Sequence, residues 1–338
     1  SVVNEKHIRT MKGLLHIKAA GEYCVLVSEI EGTKDEYILI LSNAVGCPVD
    51  SKTININPRY VAMNGTHIIV CSDDTVYYWQ YRSQYSRSVS LESEKKRAGK
   101  ESAFHIDEIP NPNMIYDKHK WKNADNNIQD TICSVADGKD GFIVGRENGQ
   151  VYQYTLPYIQ RNENKFLLKW KPQTLELNCD CTKFAIIDIN GVLTFFDMEE
   201  CPPGTKVPGY HKPEEKKEVW SVIWSSDNPE MCALMEKNRM FVMRNFKQEE
   251  PVLSSGYLCQ FSDLEVKAAM LDDILKAPED IKNITDYVET YECRSLRDTR
   301  DHLTTISLKD AVDFVDENPH PRLWKLIAEA ALDKLDFQ

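Results

Sequence analysis

The residues whose types and spacing could carry chemistry are few and far apart. Cys179-Asp180-Cys181 sets two thiols two positions apart. On a strand, alternate residues share a face, so both thiols would point the same way, but no second pair completes the four ligands of a zinc site. We expect no metal there. Asp301-His302 has the composition of half a catalytic dyad, yet neighbouring residues on a short helix point apart, and two solvated side chains account for them better. Asp73-Asp74 and Asp272-Asp273 are carboxylate pairs of the kind that hold a cation or divide acid and base roles; turn chemistry and helix-surface charge are the favoured readings. Gly145-Arg146-Glu147-Asn148-Gly149 lacks the GxxxxGK[ST] pattern and reads as a hairpin turn, and no GxSxG elbow occurs. No catalytic, cofactor-binding or metal residue is assigned, and no cofactor or small-molecule substrate is expected.

The elements that would have to position such groups belong to a chain of 338 residues, 42% hydrophobic and 28% charged, enough to bury a sizeable core. Fifty-three acidic against 41 basic residues give a net charge of −12, a poor match for a phosphate backbone, and nucleic acid is not expected as a partner. The longest apolar runs, such as Tyr23–Val27 and Tyr37–Leu41, have the length of strands rather than of membrane spans. Ten scattered cysteines without a CxxC pair fit reduced core thiols in a cytoplasmic protein. Asn64-Gly65-Thr66 and Asn283-Ile284-Thr285 match a glycosylation sequon, but no signal peptide precedes them and both read as coincidence. The chain opens at Ser1 rather than Met, which points to a longer parent.

A hairpin recurs along the chain. His67–Cys71 turns at Ser72-Asp73-Asp74 into Thr75–Trp79; Gly141–Val144 turns at Glu147-Asn148-Gly149 into Gln150–Tyr154; Phe184–Ile189 turns at Asn190-Gly191 into Val192–Asp197; Met231–Met235 turns at Lys237-Asn238 into Met240–Arg244. Asn-Gly supplies the positive φ that tight hairpin turns require, and alternating apolar residues give each strand a face to bury. Gly149 and Gly191 are 42 residues apart, the period of a four-stranded propeller blade. An earlier hairpin spans Tyr23–Ile30 and Glu36–Leu41, and Tyr257–Phe261 and Tyr287–Cys293 supply final strands on either side of an amphipathic stretch, Val266–Lys276. The six tryptophans are dispersed, which suits blade packing better than base stacking.

Two stretches interrupt the period. Arg82–Ala103, rich in Ser, Lys, Arg and Glu, reads as a mobile insertion, within a longer irregular region around residues 82–130. Its basic run Glu94–Lys100 reads as a solvated loop rather than a nuclear signal or phosphate patch. Glu199–Glu218, with four prolines, reads as a loop between blades. From Leu296 the spacing turns helical: Leu308, Ala311, Val312 and Val315 share one face, and after Asn318-Pro319-His320-Pro321 so do Leu323, Leu326, Ile327, Ala330 and Ala331. The reading is a mainly β chain: residues 1–295 form a WD40-like β-propeller, and residues 296–338 form the first helices of a tetratricopeptide-like (TPR-like) α-solenoid. Five hairpins and a sixth candidate fall short of seven blades, so the ring is expected to be incomplete until upstream strands or a partner close it.

Three blocks carry a resemblance: Gly191–Asp197, the run Arg244-Asn245-Phe246 through Glu249-Glu250-Pro251 to Ser255-Gly256-Tyr257, and above all Arg294–Asp298 followed by Glu317–Leu332. The sequence resembles the WD-repeat subunits of intraflagellar transport complex A (the IFT-A complex), of the hundred-and-twenty-one-kilodalton class. The likeness implies two propellers followed by a long solenoid, this chain being most of the second propeller and the first helices. It also implies a scaffold rather than an enzyme, located in the cytoplasm, the axoneme of the cilium or flagellum and the basal body. Its partners would be other complex A subunits and ciliary membrane cargo, and its roles retrograde transport, cilium biogenesis and the ciliary entry of membrane proteins. The blades are degenerate: Phe196-Asp197 keeps the acid of the Trp-Asp ending, whereas Trp79-Gln80 and Met243-Arg244 do not. A COPI-like or nuclear-pore coat subunit is the alternative with the same architecture. Contact of Lys95, Lys96, Arg97 and Lys100 with ciliary membrane lipid is a supplementary expectation.

Overall fold

In the computed structural model, the described residues are 11–82, 100–111, 115–117, 121, 130–164, 166–276, 283–305, 307–317 and 319–333. The chain forms two compact units, Ser1–Lys216 and Lys217–Gln338. The sequence pattern divides the chain at 295/296 instead.

The first unit holds four antiparallel sheets, each a meander in chain order. The first comprises β1 (Leu14–Ala20), β2 (Tyr23–Glu29), β3 (Tyr37–Asn43) and β4 (Pro48–Ile54); the second β5 (Tyr60–Met63), β6 (His67–Cys71), β7 (Thr75–Gln80) and β8 (Lys100–His105). The third comprises β9 (Ile132–Asp137), β10 (Gly141–Arg146), β11 (Gln150–Thr155) and the short β12 (Gln160–Arg161) and β13 (Phe166–Leu167), both paired with β11. The fourth comprises β14 (Thr174–Leu177), β15 (Lys183–Ile187), β16 (Leu193–Asp197) and β17 (Tyr210–Lys216). The first strands lie side by side, β1 against β5, β5 against β9 and β9 against β14, as the inner strands of consecutive blades do.

Middle strands of the second and third sheets are apolar at most positions because both faces are covered. Ile68, Val70, Tyr77 and Trp79 pack on Val25, Val27, Leu39 and Leu41 of the first sheet. Their alternates Ile69, Cys71, Val76 and Tyr78 pack on Phe142, Val144, Tyr152 and Tyr154 of the third. Ile143 and Val151 then meet Leu175, Phe184, Ile186 and Phe196 of the fourth. Trp79 is fully buried in this stack. The hairpin tips obey turn chemistry: Gly149 has φ +85°, and a Cβ there would sit 2.8 Å from the Leu168 carbonyl oxygen.

The second unit begins with β18 (Val219–Trp224), β19 (Met231–Glu236), β20 (Arg239–Arg244) and the short β21 (Lys247–Gln248) and β22 (Val252–Leu253), both on β20. Next comes a three-stranded sheet, β23 (Tyr257–Ser262), β24 (Glu265–Ala269) and β25 (Val288–Glu292). Between β24 and β25 lie α1 (Leu271–Lys276) and a 3₁₀ turn, Ile284–Tyr287; after β25 come α2 (Arg294–Thr305), α3 (Leu308–Glu317) and α4 (Pro321–Asp333). One core serves strands and helices alike: Met231, Met240, Phe261 and Val266 share it with Leu296, Val315, Leu323 and Ile327.

Two sequence expectations are corrected, and one stretch is resolved into its elements. The end of the Arg82–Ala103 insertion is part of β8, whose Ala103 is buried and whose Glu101 accepts the Tyr77 hydroxyl at 2.7 Å; residues 83–99, including Lys95, Lys96 and Arg97, lie outside the described residues. The Glu199–Glu218 loop contains β17, the outer strand of its sheet, in register with β16. The amphipathic stretch Val266–Lys276 divides between two elements: Val266 and Ala268 belong to β24, and Leu271–Lys276 is helical. In the first two the pattern misleads because an outer strand has one partner and less to bury, so more of its residues are polar.

Candidate interaction surface

The residues singled out for chemistry do not converge. Cys179 and Cys181 lie in the turn between β14 and β15 rather than on a strand. Cys181 has φ +62°, burial pushes its thiol up to about 11, and the Asp180 carboxylate accepts the Thr182 N–H at 3.1 Å and its hydroxyl at 2.6 Å. Asp73 pairs with Arg59 at 2.7 Å, and Asp74 accepts the Thr75 hydroxyl at 2.8 Å and lies 3.3 Å from His105. Asp273 pairs with Lys276 on the surface of α1. Asp301 and His302 lie on α2, where the His302 ring packs on Phe314, with centroids 5.1 Å apart. Among the described residues no group of three or more His, Cys, Asp or Glu is arranged to hold a metal ion.

One titratable cluster in the first unit escaped the sequence reading. Asp137 at the end of β9 and Glu176 on the neighbouring β14 are both desolvated, which lifts their carboxyls to about 6 and about 7, while Lys18 on β1 pulls in the opposite direction. Asp137 also accepts the Met63 N–H at 3.3 Å. No linear signal marks this group, since its members come from separate inner strands.

The second unit presents a joint between sheet and helices. Arg322, in the first turn of α4, donates to the Asp263 carbonyl at 2.6 Å and to Glu265 at 2.6 Å, and holds the Glu265 carboxyl below its ordinary range. Burial opposes ionisation of Asp227, but the Ser225 hydroxyl, the Asp263 N–H and the nearby His320 together keep its pKa below the ordinary value. His320 is 6% exposed, and its Nε2 stands 3.4 Å from Asp227. On α2, Ser295 accepts from Arg244 at 2.9 Å, and Glu249 accepts the Arg294 N–H at 3.2 Å. A cleft of roughly 440 Å³ runs beside these residues, lined by Arg244, Lys247, Glu249, Arg294, Asp298 and Phe314. Its three cations face two carboxylates, which leaves only a small positive excess.

The tryptophans divide. Trp79 and Trp224 are buried, as blade packing requires, whereas Trp220 is 42% exposed and packs edge-on against Tyr257, itself 40% exposed, at a centroid distance of 5.2 Å. Aromatic residues at this level of exposure, flanked by charged side chains, are what binding surfaces are built from.

Residues 1–292 match the family model of the WDR35 second β-propeller. The chain belongs to that family. The match ends at the last residue of β25, so α2, α3 and α4 lie beyond it. Relatives extend the likeness: the chain is 40% identical over 343 residues, 99% of its length, to WD repeat-containing protein 35 of Rattus norvegicus, and 40% identical over 354 residues to that of Homo sapiens. It spans 29% of the length of each of these relatives. The structure of Kluyveromyces lactis Hsv2p superimposes loosely, with a TM-score of 0.44 at 10% identity over 77% of each chain. Membership of the WDR35 second β-propeller family accounts for the sheets of both units, since a WD-repeat blade is a four-stranded meander packed face to face on its neighbours.

Proposed function

We propose that this chain is a non-catalytic scaffold module of intraflagellar transport complex A, acting in retrograde ciliary transport, cilium biogenesis and the entry of membrane proteins into cilia. The observation that carries the reading is the continuous match of residues 1–292 to the second propeller of WDR35, with 40% identity across 99% of the chain. Its partners are other complex A subunits and ciliary membrane cargo, and its place is the cytoplasm, axoneme and basal body. The helices after β25 begin a TPR-like solenoid: Trp324 and Leu332 on α4 are 38% and 59% exposed, as expected of a helix face that meets further helices.

Affinity purification from ciliated cells with residues 1–338 as bait, followed by mass spectrometry against an unrelated propeller, tests this. Enrichment of complex A subunits is the expected result. Coatomer or nuclear-pore proteins in their place would give the chain to another coat class of the same architecture, and enrichment of none of these would remove the scaffold reading for this segment.

A further inference from the structure

Trp220 is out of step with its strand. In the pairing of β18 with β19, Val219 faces Glu236 and Ser221 faces Met235, which leaves Trp220 as a β-bulge. A bulge re-aims the side chain it ejects. Here it delivers an indole to the surface, beside the hairpin tip between β19 and β20, where the ring N–H donates to the Lys237 carbonyl at 2.9 Å. That bond satisfies the one polar group of the side chain and fixes the ring, leaving an apolar face with little rotamer entropy to lose on contact. Tyr257 holds the ring from one side, and Leu253, 74% exposed, lies on the segment whose Ser254 N–H bonds to Asn238 at the same tip.

The charges nearest this tip have the opposite sign to the chain as a whole. Lys217, Lys237 and Arg239 are exposed; Glu218 pairs with Lys237 at 2.7 Å and the half-buried Glu236 faces Arg239 across the hairpin, so three cations stand against two carboxylates. The whole chain carries −12. A fixed aromatic ring with a local cationic rim on an acidic chain is complementary to an acidic peptide with an apolar residue at its centre. A lipid surface fits less well, because the charge of the chain opposes an anionic leaflet and the exposed apolar group is small.

We propose that the bulged Trp220, braced by Tyr257 and rimmed by Lys217, Lys237 and Arg239, docks an acidic segment of a partner protein by receiving one aliphatic side chain on its indole. This rests on the scaffold reading above and names a contact for it.

The test is fluorescence anisotropy of the chain with labelled twelve-residue peptides carrying a central Leu flanked by Asp and Glu, or by Lys and Arg, and flotation with phosphatidylcholine–phosphatidylserine vesicles. The acidic peptide is expected to bind at least about tenfold more tightly than the basic one. Trp220→Ala should weaken it about tenfold, and Arg239→Glu about threefold, an effect that shrinks with added salt. Arg239→Glu alters an exposed side chain and keeps the test open if Trp220→Ala does not fold. Binding of neither peptide, equal binding of both, affinity unchanged in the variants, or vesicle binding that depends on Trp220 without peptide binding would each overturn the site. The two readings fail separately. A wild-type bait without complex A subunits removes the scaffold reading and leaves the peptide result standing; complex A subunits kept equally by wild type and Trp220→Ala, with unchanged peptide affinity, removes only the docking site.

Discussion

Residues 11–216 and 217–333 bury their apolar residues in different ways. In the first unit each core cluster lies between two neighbouring sheets, so that the middle strands of the second and third sheets are held on both faces by other strands. In the second, one cluster is built jointly by strands and helices, with Phe261 and Val266 beside Leu296, Leu323 and Ile327. The carboxylates differ in the same way. Those of the first unit that matter, Asp137 and Glu176, are desolvated and hard to ionise, whereas in the second Glu265 is held ionised by Arg322 of α4, and Asp227 by the Ser225 hydroxyl, the Asp263 N–H and the nearby His320. Helices that come after a last sheet are thus no appendage when they complete that sheet's core.

The largest expected effect tests the shared core. Phe261→Ala should cost about 3–5 kcal/mol and release the helices together with β18–β25. Hydrogen exchange at the amides of Leu296 and Leu323 checks this: helix amides that stay protected while the strands exchange would separate the two. Next, Arg322→Ala removes the charged donor to Asp263 and Glu265 and should cost about 1–3 kcal/mol, with faster exchange confined to the second unit. Unchanged protection of α4 would mean that the apolar contacts alone hold it.

The pH dependence of the two units should run in opposite directions. Glu176 has a folded pKa of about 7, above its ordinary value; its ionisation therefore costs stability, progressively as pH rises from about 4.5 through 7. Glu176→Gln should then stabilise the first unit by about 1–3 kcal/mol at pH 8 and leave it little changed at pH 4.5, as read from denaturant unfolding at both values. Asp227 is depressed, so its contribution is present above about pH 4 and is lost as pH falls through its folded pKa; Asp227→Asn should destabilise the second unit at pH 7 and progressively less below pH 4. Parallel slopes in the two variants would contradict the contrast. The smallest effect is at an exposed pair: Arg294→Ala breaks the bridge to Asp298 on α2 and should shift stability by less than about 0.5 kcal/mol.

Much of the fold is legible residue by residue. Gly149 and Gly191 mark turns because positive φ is needed there, and both hairpins lie where the sequence puts them. Strands buried on both faces, such as β6 and β19, announce themselves as unbroken apolar runs. Outer strands do not. β17 reads Tyr-His-Lys-Pro-Glu-Glu-Lys and β8 Lys-Glu-Ser-Ala-Phe-His, because one ladder of backbone hydrogen bonds holds them and solvent reaches β17 throughout and the start of β8. The Cys179–Cys181 pair misleads for a related reason: a two-residue spacing has meaning only on a strand, and Asp180 with Asn178 closes a turn there.

The sequence by itself determined the repeating meander, its period, its middle strands and the helices after them, because each is encoded in local turn residues and in the spacing of apolar side chains along a few consecutive positions. Only the tertiary structure decided that those helices share a core with the preceding sheets, that Lys18 acts on both Asp137 and Glu176, and that Trp220 is ejected to the surface while Trp224, four residues later, is buried. These depend on which strands and helices become neighbours and on where one register slips by a residue, and neither is set by the order of residues along a single strand.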